Sequence, residues 1–217
     1  MRARRLAVTG ALEFTPEVIG DDRGVFVSVF HREAFESVHD GPLFPVGQIS
    51  HSRSHQNVVR GVHYTATPPG SAKYIHCSAG RALDLVVDLR VGSPTFGRWD
   101  TVVLDARDFR AVHYPVGVGH AFVALTDNTV LTYLLSQTYV PEHERSVDVL
   151  DPALGLPIPV DVEPLMSERD SGAPTLAEAR DRGLLPDYHE CLLLDKLLNE
   201  RPVSGPGGPE PDEGGGS

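Results

Sequence analysis

An all-β sandwich or barrel is the fold class this sequence predicts, on three observations. Short apolar runs recur from Leu6 to Ser136, Gly and Pro turns separate them, and no regular alternation of strand and helix signals interrupts the series. With 217 residues and 41% hydrophobic content, the chain suits one domain over residues 1–200. A helical segment closes that domain from about residue 173. The tail 201–217, RPVSGPGGPEPDEGGGS, has almost nothing to bury and is expected to be disordered.

The elements follow in order. Two strands are expected between Leu6 and Phe30 around the turn GDDRG, which carries Arg23. In VFVSVF, Val25, Val27 and Val29 face one way and Phe26, Ser28 and Phe30 the other, a strand with little polar face. Arg23 at its mouth reads equally as a phosphate ligand or a solvated turn arginine. His31–His39 predicts a short helix, and a strand follows near Phe44 to His51. RALDLVVDLR places Leu83, Leu85, Val87 and Leu89 on one face and Asp84, Val86 and Asp88 on the other. Those aspartates are either buried on a sheet face or solvated on a half-exposed one. Further strands are expected at Trp99–Leu104, Ala111–Tyr114, after the YPVGVG turn that delivers His120, and at Thr129–Ser136. Tyr133 there can be a core tyrosine whose hydroxyl finds a partner.

After about residue 150 the Pro-rich DPALGLPIPV is expected to wrap the barrel. Thr175–Arg182 predicts a helix with Thr175 and Glu178 in capping-box spacing and Gly183 at its exit. A second helix spans Asp187 to about Glu200, its Leu193, Leu194, Leu197 and Leu198 stripe serving the core or a dimer contact.

Composition excludes several classes. A net charge of −11 argues against nucleic acid or an anionic membrane as partner. The two cysteines, Cys77 and Cys191, lie too far apart in sequence to suggest a zinc site or a disulfide framework and suit reduced thiols. The basic start lacks a sustained apolar run and no segment has the length of a membrane span, so a soluble, cytoplasmic protein is expected.

The chemistry concentrates in Val58–Cys77, VVRGVHYTATPPGSAKYIHC, which reads as two strands around a Pro-Pro-Gly break. Arg60 and His63 lie in the first strand and Lys73 opens the second. An imidazole with an ordinary pKa near ~6.5 can take a proton from carbon, and an ammonium can stabilise the oxyanion that forms. A structural or surface histidine is the other reading. Strict alternation would send Arg60 and His63 to opposite sides of the sheet. A shared site therefore requires a bulge, and Gly61 is the natural place for it.

Taken together, DDRGVF, QIS from Gln48, VVRGVHY, the Lys73 strand, DLVVDLRVGSPTFGRW, YPVGVGHAF, the Tyr133 strand with YVPEHE, LDPALGLPIP and SERD resemble the dTDP-4-dehydrorhamnose 3,5-epimerase family. Together they span roughly residues 10–170. The resemblance implies a jelly-roll, cupin-like fold, no cofactor and no metal, and a dTDP-linked 4-keto-6-deoxyhexose as substrate. It implies His63 as base, Tyr133 as acid on the opposite face, Lys73 with His120 at the enolate oxygen, and Asp170 behind the imidazole. Asp84 is the alternative partner for His63. Arg23 and Arg60 would hold the diphosphate, and Gln48 and Glu144 are further candidates for substrate contacts. The resemblance also implies a homodimer in which the strand carrying Arg23 crosses to the partner.

The sequence departs from the family pattern at Ser28, Ser50, Thr65 and Ser71, where Glu, Asn, Gln and Gln are usual. These changes spare the base, acid and lysine, so the expectation is retained inversion chemistry on a different sugar, as in antibiotic deoxysugar pathways. Two alternatives are a metal-dependent cupin enzyme and a non-catalytic sugar-nucleotide-binding cupin. The first lacks the His-x-His pair, because Tyr64 and Thr65 follow His63.

Overall fold

The computed structural model describes residues 1–39, 41–159 and 163–200. In chain order the elements are β1 (Arg2–Arg5), β2 (Leu12–Thr15), β3 (Val18–Asp21), β4 (Gly24–Val27), α1 (Arg32–Glu36), β5 (Gln48–Ser54), β6 (Val59–Thr65), β7 (Lys73–Ala79) and β8 (Arg81–Asp88). There follow β9 (Trp99–Asp105), β10 (Ala111–Tyr114), β11 (Val118–Ala124), β12 (Thr129–Leu135), β13 (Glu144–Ser146), α2 (Glu168–Ser171), α3 (Leu176–Asp181) and α4 (Tyr188–Glu200). A six-stranded sheet runs β1-β2-β10-β7-β12-β5, a five-stranded sheet runs β13-β6-β11-β8-β9, and β3-β4 form a separate hairpin. This is the expected all-β sandwich of cupin-like form, with short C-terminal helices.

Alternation along each strand sorts the core into layers. Between the sheets, Ile75, Cys77, Val112, Tyr114 and Leu131 of the larger sheet meet Val86, Val102, Leu104, Val118 and Phe122 of the smaller. The outer face of the smaller sheet, with Val59, Val62, Tyr64, Leu85, Val87 and Leu89, is covered by Val147, Val149, Leu154 and Ala179. The Pro-rich segment therefore wraps this face as expected, and Trp99 Nε1 donates to the Leu154 carbonyl at 2.8 Å. On the far side of the larger sheet, Leu12, Phe14, Tyr74 and Ala111 pack under Phe35 of α1 and Cys191 and Leu198 of α4. Full burial of such a side chain stabilises the fold by about 1.5–3 kcal/mol.

The bulge expected at Gly61 is present. His120 pairs with His63 and Phe122 with Arg60, so two steps along β11 match three along β6. Val62 and Tyr64 consequently pack outward in the covered layer. Gly61 has φ +117, and a Cβ there would stand 2.5 Å from the His120 carbonyl oxygen and 2.6 Å from Ala121 Cβ. Only glycine fits that approach.

Several expectations change. The solvated reading of the β8 aspartates is overturned, because Asp84 and Asp88 are both 0% exposed. Strand β9 and strand β11 flank β8, and the facing sheet covers its inner side. Asp88 is held by Arg90 Nε at 2.8 Å and by the hydroxyls of Ser93 and Thr95. VFVSVF is not an interior strand: Val25 and Phe26 are 61% and 69% exposed on the β3-β4 hairpin. The strand expected near Phe44 starts at Gln48, and Arg2–Arg5 adds an edge strand against β2. The capping box of Thr175 and Glu178 opens α3 as expected. The α4 leucine stripe divides, with Leu194 and Leu198 in the core and Leu193 and Leu197 exposed. The tail 201–217 lies outside the described residues. Among the described residues no helix is long and apolar enough to cross a membrane.

Burial pushes the His113 pKa down to about 3, with His39 beside it adding to the effect. Burial also lowers His76 and His120. Because the folded value lies below the ordinary value near ~6.5, the unfolded chain binds the proton first, and stability falls as pH drops from ~6.5 toward 3. Asp195, raised to about 6 by burial, acts in the opposite sense. The His113→Phe variant should therefore flatten the acid side of a stability profile by up to about 1.4 kcal/mol per pH unit, measured by urea unfolding between pH 4 and 7.

Candidate active site

The sheets open onto a cavity of about 280 Å³ that gathers most of the residues singled out in the sequence. The smaller sheet contributes Arg60, His63 and Thr65 from β6, His120 and Phe122 from β11, and Glu144 from β13. The larger sheet contributes Ser50 and Ser52 from β5, Lys73 from β7, and Tyr133 from β12. The imidazole and the phenol thus approach from opposite walls, which is the placement two-sided proton transfer requires.

His63 Nε2 lies 2.6 Å from Asp170 Oδ1, and the Asp170 side chain is 4% exposed. The SERD motif explains this reach. Ser167 caps α2, its hydroxyl accepting from the Asp170 amide, and this short helix aims the carboxylate at β6. Burial pushes the Asp170 pKa up, but the His63 hydrogen bond, its charge and the Ser167 hydroxyl together bring it below the ordinary carboxylate value. Asp170 is therefore ionised at neutral pH. It fixes a proton on Nε2 and leaves Nδ1 as the basic nitrogen.

Asp84 is not the His63 partner. In the order β6-β11-β8 its strand is separated from β6 by β11, so the carboxylate meets His120 on the intervening strand. His120 Nε2 lies 2.7 Å from Asp84 Oδ1, and the Tyr114 hydroxyl donates to Oδ2. Burial drives the His120 pKa down, and Asp84 only partly offsets it. A neutral His120 donates its Nε2–H to Asp84 and presents Nδ1 as an acceptor.

Burial also lowers the Lys73 pKa, against the pull of Glu144. Its Nζ has one protein hydrogen bond among the described residues, a 3.5 Å contact with the His63 carbonyl. Burial raises the Tyr133 pKa, and its hydroxyl lies 3.0 Å from Ser52 Oγ. Glu144 accepts from Thr65 Oγ1 at 3.0 Å. Gln48 stands just behind the wall, donating to Ser50 Oγ at 2.7 Å and accepting from the Tyr139 amide at 2.9 Å.

Arg23 does not line this cavity. It sits at the tip of the β3-β4 hairpin, 90% exposed and paired with Asp21 at 2.5 Å. Sequence reasoning missed Ser52 as the tyrosine's partner and the convergence of Tyr114 and His120 on Asp84. Shared parity of Ser50 and Ser52 on β5 was the available signal for the first. For the second, the strand order was needed.

A family model described as dTDP-4-dehydrorhamnose 3,5-epimerase matches residues 5–178. The chain belongs to this family. It is 49% identical over 183 residues to a Streptomyces protein named dTDP-4-dehydro-6-deoxyglucose 3-epimerase, covering 84% of this chain and 93% of the relative. It is 42% identical over 204 residues to a dTDP-4-dehydrorhamnose 3,5-epimerase of Mycolicibacterium smegmatis, covering 94% and 100%. Among solved structures it resembles NovW of Streptomyces spheroides, described as a 4-keto-6-deoxy sugar epimerase from the novobiocin gene cluster. That match has TM-score 0.84 and 47% identity over 88% of this chain and 95% of NovW. ChmJ of Streptomyces bikiniensis, described as a 3'-monoepimerase in complex with dTDP-quinovose, matches with TM-score 0.84 and 45% identity over 88% and 96%.

Among the described residues no group of three His, Cys, Asp or Glu is placed to hold a metal ion. In this epimerase-family site the buried Asp84 satisfies two donors, so its removal leaves both unpaired. The Asp84→Ala variant should be destabilised by about 2–4 kcal/mol in urea unfolding, and Asp84→Asn, which keeps an acceptor, by less.

Proposed function

We propose that this chain inverts carbon 3 of a dTDP-linked 4-keto-6-deoxyhexose, with His63 as base and Tyr133 as acid. The observation that carries the reading is the pairing, across one cavity, of an imidazole backed by Asp170 with a phenol on the facing sheet. The ketone at carbon 4 acidifies the protons on carbons 3 and 5. His63 Nδ1 takes one of them, the C–H electron pair moves into the enolate, and the Tyr133 hydroxyl returns a proton to the other face. Lys73, in its ammonium form, supplies the positive charge that the enolate oxygen needs, and Glu144 acts against the lowering of its pKa by burial. His120, neutral and held by Asp84, accepts from a sugar hydroxyl. Arg60 reaches the diphosphate with bidentate guanidinium contacts, and Gln48 and Glu144 shape the rest of the substrate wall.

The choice of carbon 3 follows the Streptomyces relatives named or described as 3-epimerases. Ser50, Thr65 and Ser71 all line the cavity, so the short hydroxyls that depart from the family pattern lie where the sugar would sit. This fits a deoxysugar route of the antibiotic type.

A homodimer completes the reading. Ile19, Val25 and Phe26 are exposed on the hairpin that carries Arg23, and a second copy would cover them while Arg23 entered that copy's cavity.

Proton NMR of dTDP-4-keto-6-deoxyglucose in deuterated buffer tests the chemistry. The expected result is loss of the carbon 3 signal with the carbon 5 signal retained; loss of both assigns a two-centre reaction, and loss of neither defeats the proposal. His63→Ala should slow exchange by about 10²–10⁴-fold. For the dimer, Arg23→Ala and His63→Ala are each expected to be nearly inactive, and mixing them after subunit exchange should restore activity through the sites that receive an intact Arg23 and an intact His63.

A further inference from the structure

We infer that Ser52 is a positioning residue for the acid half of the reaction, donating its hydroxyl proton to the Tyr133 oxygen and holding the phenolate left after proton transfer. The inference rests on the epimerase reading above and deepens it.

The strand register places the two groups together. On the β5-β12 ladder Tyr133 pairs with Ser50 and Leu131 with Ser52, so Ser52 sits one diagonal step from the tyrosine on the cavity-facing side. Its Oγ is 3.0 Å from the Tyr133 hydroxyl, which has no other protein partner among the described hydrogen bonds. Direction follows from counting protons. A phenol has one proton, and to reprotonate carbon it must point at the substrate, so the hydrogen bond to Ser52 has to run from serine to tyrosine. The Tyr133 O–H bond then breaks as the new C–H bond forms, and the O–H electron pair remains on the phenolate oxygen. The Ser52 donor is already aimed at that oxygen and becomes charge-assisted. The cycle closes when imidazolium His63 gives one proton to solvent and Tyr133 takes one from solvent.

The surroundings make this donor necessary. Burial opposes ionisation of Tyr133, and the Ser52 hydrogen bond is the largest influence acting against that burial. Arg60 adds a smaller favourable one, and the carboxylate of Asp84 works the other way. Lys73 Nζ makes its contact with the His63 carbonyl at 3.5 Å and has no hydrogen bond to Tyr133 among the described ones, so it does not substitute for the serine.

In deuterated buffer the two halves of the reaction can be read separately. Deuterium returned by His63 to the original face labels recovered substrate, whereas deuterium delivered by Tyr133 appears in inverted product. For Ser52→Ala we expect label to enter recovered substrate at close to the wild-type rate while inverted product forms about 10–100-fold more slowly. Ser52→Thr, which keeps the hydroxyl, should recover most of the inversion rate. Equal slowing of exchange and inversion would mean a general structural defect and would overturn the inference, as would unchanged inversion in Ser52→Ala. Absence of exchange in the wild-type protein would instead defeat the epimerase reading, and this inference with it.

Discussion

A β-strand offers its side chains to alternate faces, and that rigid parity is the constraint on which the site depends. Arg60 and His63 can share a cavity only if one extra residue enters β6 between them. At Gly61 the backbone presses against the His120 carbonyl and Ala121 so closely that no side chain fits. The same insertion leaves Val62 and Tyr64 on the outer layer, so the core gains what the cavity does not use. A backbone hydrogen bond from Gly61 also helps lower the Asp170 pKa, which joins bulge, carboxylate and imidazole in one unit.

The buried charges are partnered unevenly, and the unevenness is informative. Asp88 has Arg90 and two hydroxyls, Asp84 has His120 and Tyr114, and Asp170 has His63 and the Ser167 hydroxyl. Lys73 is 7% exposed, with a single long contact to a carbonyl among the described residues. Burial works against the charged form of Lys73, and an ammonium there would be most stabilised by negative charge developing beside it. The hydrogen bonds around the cavity thus go to the carboxylates, and Lys73 is left with the least compensation.

Much of this was legible from residues alone, for reasons that can be named. The Leu83, Leu85, Val87 and Leu89 series and the parity conflict between Arg60 and His63 are local, and alternation decides both. The Thr175 capping box is local in the same way. Other features required knowledge of which strands become neighbours. Asp84 looks available to His63 until β11 is found between their strands, and the hydrophobic VFVSVF reads as interior until it is seen on a hairpin outside both sheets. The Arg2–Arg5 edge strand has no alternating apolar signal, because its partner β2 supplies the buried face.

Partners of the site lie far apart along the chain: His63 and Asp170 are separated by 107 residues. The carboxylate arrives on a four-residue helix near the end of the matched region, after every strand of both sheets has been made. A chain that has closed its sandwich but not yet docked this segment would hold an unoriented imidazole. In chain order, the residue that orients this imidazole is therefore made only after all the strands that carry the cavity.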